Sequence, residues 1–188
     1  YMISSLFLGK TIHRAFRMRQ NCVKVILWIL GFKIKTHGPI QSITPALYIA
    51  NHRCFSDPLL ALKFFYFYPI GKAEIQNYPL IGKAAAETGI LFVQRDDKNS
   101  RNGVKEGIRK TLVDGMSIFL CPEGTTNVGQ LTKEMKKGSF EIAAELKVPV
   151  VVMAMVYHDP ETDFWIPGDS LIKHFIKQFG KWRTYVDV

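Results

Sequence analysis

No stretch of this 188-residue chain stays apolar for the roughly 18 to 20 residues that a membrane-spanning helix needs. The longest run, VILWILGF from Val25 to Phe32, covers less than half of that length. A protein that crosses a bilayer is therefore not expected from these residues. Cysteine is also scarce. Cys22, Cys54 and Cys121 stand far apart, with no C-x-x-C and no histidine pair nearby, so neither a zinc site nor a disulfide framework is indicated. A reducing, cytosol-facing environment fits that usage. Internal repeats, low-complexity segments and nucleic-acid fold signatures are lacking too. With 47 % hydrophobic and 22 % charged residues, the chain has the composition of a folded globular domain and not of a disordered one.

The most informative absence is of acid. From Tyr1 to Ser56 there is no Asp or Glu, against eight Lys or Arg, whereas the remaining residues carry 17 basic and 16 acidic side chains. Nearly all of the net charge of +9 therefore belongs to an N-terminal arm, residues 1–37, placed ahead of a domain spanning 38–188. At 100° per residue, Ile12, Phe16, Val23, Leu27 and Leu30 fall in one stripe of a helix, with Lys10, Arg14, Arg17 and Lys24 roughly opposite. Arg19 interrupts the pattern. A basic amphipathic arm of this kind suits an anionic membrane surface, which makes a peripheral, membrane-associated protein on the cytosolic face the expectation. An ordinary helix packed on the domain with a solvated basic face has the same pattern, and basic clusters also bind nucleic acid; the expectation for this chain is no nucleic-acid partner.

Beyond the arm, strand-like and helix-like segments alternate. Ser42–Ala50, Gly89–Arg95 and Ser117–Cys121 read as strands and the apolar Val148–Tyr157 as a buried strand, Pro58–Tyr68 as a helix or buried segment, and Ser100–Gly115 and Ser139–Leu146 as helices. That order predicts an α/β fold, with a largely parallel or mixed sheet flanked by helices and preceded by the amphipathic arm. Active sites of such sheets gather at the carboxyl ends of the strands.

His52 stands at such an end, just after the strand ALYIA, and Asp57 follows five residues later in NHRCFSD. Asp57-Pro58 also reads as a helix start, with aspartate at the N-cap and proline at N1. Both readings hold together if the pair touches. An imidazole with an ordinary pKa near ~6.5 accepts a proton at cytosolic pH, and a carboxylate against its other nitrogen fixes the tautomer and stabilises the imidazolium. His158 and Asp163 have the same spacing, but in a turn-like acidic cluster that reads as a solvated loop.

The ordered blocks NHRCFSD, GILFVQR, CPEGT and VPVVV resemble those of the glycerolipid acyltransferases, the lysophosphatidic acid acyltransferase family. The likeness runs from about Ser42 to the strand-like RTYVDV at the end. The resemblance implies that His52 is the general base that takes the proton of a lysolipid hydroxyl as it attacks an acyl thioester, and that Asp57 orients it. It further implies an acyl-CoA or acyl-carrier-protein donor, a lysophospholipid acceptor, and neither a metal, nor another cofactor, nor a covalent acyl-enzyme. Arg95 would hold the acceptor phosphate, as a bidentate guanidinium can. Glu123, Gly124 and Thr125 would line the substrate site, and Lys72 in GKAEI would stabilise the oxyanion. Many phosphatidate-forming members carry arginine after E-G-T, where this chain has Thr126. The leading expectation is acylation of 1-acyl-glycerol-3-phosphate to phosphatidate. The alternatives are another acceptor, such as a lyso-aminolipid or glycerol 3-phosphate, or a lipid-binding membrane-surface protein without catalysis.

Overall fold

The computed structural model describes residues 12–77, 82, 89–94, 97–166 and 168–188. In chain order the elements are α1 (Ile12–Ile29), β1 (Phe32–Lys35), β2 (Leu47–Ala50), α2 (Asp57–Phe64) and β3 (Tyr68–Lys72). A 3-10 turn at Ala73–Asn77 precedes β4 (Leu91–Val93), α3 (Lys98–Val113), β5 (Ile118–Leu120) and α4 (Gly138–Glu145). The chain ends with β6 (Val150–Met153), β7 (Val156–Tyr157), α5 (Pro160–Asp163), α6 (Leu171–Phe179) and β8 (Thr184–Asp187).

Five strands form one parallel sheet in the order β4-β3-β5-β2-β6, and β1-β8-β7 form a second, mixed one. The α/β class expected from the alternation of segments is the class observed. β2 lies between β5 and β6, and all four of its residues are buried, because successive side chains enter opposite faces that are both covered. Tyr48 and Ala50 join Val23 and Leu27 of α1 and Leu60 of α2 on one side. Leu47 and Ile49 meet Ile108 and Leu112 of α3 and Ile142 of α4 on the other.

In α1 the apolar stripe faces the core as its spacing requires: Phe16, Val23 and Leu27 are buried. Arg19 is buried in the same stripe. Its guanidinium donates to the Phe67 carbonyl and stacks over the Phe16 ring, and burial lowers its pKa to about 10. The interruption seen in the sequence is thus a charge with its own built partner. The turn after α1 contains Gly31, whose positive φ of 72° brings its backbone against Trp182, where a Cβ would collide with the Trp182 carbonyl.

Two segment readings change. The helix from Pro58 stops at Phe64, and Tyr68 opens a strand, because the residue before Pro69 is driven to extended backbone. The apolar run Val148–Tyr157 is two strands in different sheets. β6 is an edge strand that leaves Val152 71 % exposed, so the run read as a buried strand is half open.

Candidate active site

β2, β5 and β3 end at one edge of the parallel sheet, and the loops that follow β2 and β5 build the site. His52 lies two residues beyond β2, and its Nδ1 is 2.9 Å from Asp57 Oδ2. The helix begins one residue earlier than the sequence suggests: Ser56 takes the N-cap position without a side-chain bond, and Asp57 is the first helical residue. Its carboxylate is thereby free to turn back on the loop. Oδ2 accepts from His52 Nδ1, from the Arg53 N–H at 2.6 Å and from the Cys54 N–H at 2.9 Å. Oδ1 accepts from the Tyr157 hydroxyl at 2.7 Å, with the Cys54 thiol at 3.3 Å. With Nδ1–H directed at the carboxylate, the lone pair of Nε2 is left for a substrate proton.

Burial pushes the Cys54 thiol well above its usual range, and the nearby Asp57 charge adds to this. The Tyr157 phenol is raised by the same two causes. Both therefore remain protonated donors beside the carboxylate.

Glu123 follows β5 and is 4 % exposed. Its Oε1 accepts the His52 N–H at 2.8 Å, and its Oε2 accepts the Lys133 N–H at 2.9 Å. The Asn127 N–H donates to the His52 carbonyl at 2.9 Å, so the two loops are stitched together around the imidazole. Arg53 extends the stitching, donating from its guanidinium to the carbonyls of Asn127, Gly129 and Gln130. Gly124 takes a left-handed φ of 70°, and the Lys136 ammonium lies over it, 2.7 Å from where a Cβ would stand.

His52 lines a cavity of about 220 Å³. Ile70, Val93, Val104, Phe119 and Leu120 make its apolar wall, and Gly124, Lys136, Gly138 and Ser139 close it from the side of α4. Arg101 and Lys105, one turn apart near the start of α3, also line it, and the end of the Lys105 side chain lies against Gly138. Among the described residues its lining carries these three cations and no carboxylate. The sequence reading did not single out Arg101, Lys105, Lys136 or Tyr157. The i, i+4 spacing of Arg101 and Lys105 just after GILFVQR was the only available signal.

The structure thus brings His52, Asp57, Glu123 and Gly124 together. Thr125 is exposed on the same loop. Lys72 ends β3 half exposed, ion-paired with Glu74 at 2.8 Å, and does not line the His52 cavity. Arg95 lies outside the described residues. The competing pair separates: His158 faces Asp187 at 3.3 Å, while Asp163 is buried against Lys181 at 2.6 Å and not in a solvated loop. Among the described residues, no His, Cys, Asp and Glu cluster could hold a metal ion, and no helix is long and apolar enough to cross a membrane.

A histidine–aspartate pair stands at the carboxyl edge of a parallel sheet and opens on a cationic cavity with an apolar wall, a geometry in which an imidazole can accept a proton from a bound hydroxyl. The chain belongs to the Acyltransferase family, whose model matches residues 32–156. It is 28 % identical over 145 residues to a 1-acyl-sn-glycerol-3-phosphate acyltransferase of Borreliella burgdorferi, covering 75 % of this chain and 58 % of that protein. It is 32 % identical over 152 residues to a lyso-ornithine lipid O-acyltransferase of Pseudomonas aeruginosa, covering 77 % and 57 %. The chain thus spans little more than half the length of these relatives. The fold is similar to the crystal structure of the 1-acyl-sn-glycerophosphate (LPA) acyltransferase of Thermotoga maritima, with a TM-score of 0.66 at 18 % identity, over 99 % of this chain and 73 % of that one.

Proposed function

We propose that this chain transfers a fatty acyl group from an acyl thioester, acyl-CoA or acyl-carrier protein, to the hydroxyl of a lysophospholipid. The observation that carries this reading is the 2.9 Å contact between His52 Nδ1 and Asp57 Oδ2 beside the cavity. His52 Nε2 takes the proton as the acceptor oxygen attacks the thioester carbonyl. The Asp57 carboxylate stabilises the imidazolium so formed. The tetrahedral intermediate collapses with cleavage of the C–S bond, and the departing thiolate recovers the proton from His52. Acceptor and thioester become ester and thiol, and no acyl group rests on the protein.

The relatives act on both phosphate-bearing and ornithine-bearing lysolipids, as their names state. Arg101, Lys105 and Lys136 favour the phosphate. With no carboxylate among the described lining residues, the cationic lining attracts a dianion and repels the ammonium of an aminolipid. Lys136, lying over Gly124, supplies a positive charge on the loop where Thr126 replaces the arginine common in the resembling family. The acceptor read from the site is therefore 1-acyl-glycerol-3-phosphate, and the product phosphatidate.

The protein docks on the cytosolic face of an anionic membrane through α1 in this reading. Arg17, Lys24 and Trp28 share one exposed face of that helix, and Trp28 and Ile29 are 77 % and 68 % exposed. Mass spectrometry after incubation with an acyl-CoA and a panel of lysolipids tests the proposal. Phosphatidate is the expected main product. Acylation of lyso-ornithine lipid in its place would transfer the reading to the other acceptor, and no acyl transfer to any lysolipid would reject it.

A further inference from the structure

Asp57 has two oxygens and they are held differently. Oδ2 has three donors from its own loop, whereas Oδ1 depends on Tyr157, a residue 100 positions away on β7 of the second sheet. Among the described residues the Cys54 thiol is the other group that bonds Oδ1, at 3.3 Å, and it is also 2.8 Å from the Tyr157 oxygen. A thiol has one weak proton to give and cannot serve both oxygens. Tyr157 is buried and accepts from Cys54 while donating to Asp57, and the Gln178 side chain of α6 approaches Cys54 Sγ in turn at 3.4 Å. A buried hydroxyl held at both ends has a fixed direction.

We propose that Tyr157 is a positioning residue for the general base: its hydroxyl fixes the Asp57 carboxylate and disperses its charge, setting how readily His52 takes a proton. The inference rests on the reading of His52 as general base. Tyr157 touches no substrate and acts through Asp57. It makes β7, and through it the second sheet, part of the catalytic apparatus.

The direction of the effect follows from electrostatics. Removing the hydroxyl concentrates the carboxylate charge, which favours the imidazolium beside it. The base is then protonated at higher pH, and the acid limb of the kcat/KM profile moves up. Among the described residues, the other titratable and charged groups around the pair are Arg53 and Cys54 in its loop, Glu123 after β5, and His174 on α6. Arg101, Lys105 and Lys136 stand at the cavity rim. None of them changes when Tyr157 does.

The test is Tyr157→Phe, assayed for kcat, for both KM values and for the pH dependence of kcat/KM. The expected result is a kcat lower by about tenfold, the scale of one hydrogen bond to a charged group, with both KM values unchanged and the acid limb displaced upward. Placing 3-fluorotyrosine at 157 preserves shape and strengthens the donor, so the limb should move downward; this variant also serves if the phenylalanine protein folds poorly. A lowered melting temperature with an unmoved limb in both variants would reduce Tyr157 to a packing role and overturn the inference. Activity independent of His52 would instead overturn the reading beneath it.

Discussion

Glu123→Gln separates a loop clamp from a substrate contact. Both carboxylate oxygens of Glu123 are engaged by backbone N–H groups, those of His52 at 2.8 Å and Lys133 at 2.9 Å, and the side chain is buried. A glutamine keeps one acceptor oxygen and turns an NH2 toward the other N–H, so one charge-assisted bond is replaced by two opposed donors. The cost is about 1.5 to 3 kcal/mol. In a domain of this length each kcal/mol lowers the melting temperature by about 2 to 4 °C, so a fall of roughly 3 to 12 °C is expected by circular dichroism. Because the lost bond fixes the backbone of His52, kcat should fall while the acceptor KM changes little. An unchanged melting temperature with a raised acceptor KM would refute the clamp and return Glu123 to direct contact with substrate.

Lys105→Gln combined with Lys136→Gln should raise the KM for 1-acyl-glycerol-3-phosphate by about tenfold or more while leaving the KM of the thioester donor unchanged, measured by initial rates against each substrate. Arg17→Glu with Lys24→Glu removes two exposed charges from α1; at about 1 kcal/mol each, binding to anionic vesicles should weaken roughly thirtyfold in sedimentation assays, with activity on dispersed short-chain acceptors retained. His174 is buried against Trp165, and burial lowers its pKa. Its contribution to stability is therefore complete above the ordinary histidine value of about 6.5 and is lost as pH falls from there through the depressed folded value. His174→Gln should flatten that loss in denaturant titrations at a series of pH values.

The alternation of segments was enough to expect an α/β fold, because parallel strands covered on both faces announce themselves as continuous apolar runs; Leu47–Ala50 is one. The pairing of His52 with Asp57 was equally visible, since both residues belong to one loop and its following helix. What the sequence could not show depends on distant partners. Nothing local says that Phe32–Lys35 will pair with Thr184–Asp187, or that Tyr157 will meet Asp57. Arg19 looked like a fault in an apolar stripe until the Phe67 carbonyl appeared opposite it. The split of Val148–Tyr157 was hidden for a related reason. Its residues are apolar throughout, and only the edge position of β6 and the move of β7 to a second sheet distinguish its halves.

The central claim is that His52 is the base for acyl transfer. The direct measurement is the turnover of His52→Ala beside that of His158→Ala, with acyl-CoA and 1-acyl-glycerol-3-phosphate, both proteins first shown by circular dichroism to be folded. Loss of a positioned general base predicts a fall of about 10² to 10⁴-fold for His52→Ala, with His158→Ala at the wild-type rate. Turnover by His52→Ala within a few-fold of wild type, or its loss in His158→Ala instead, would contradict the account.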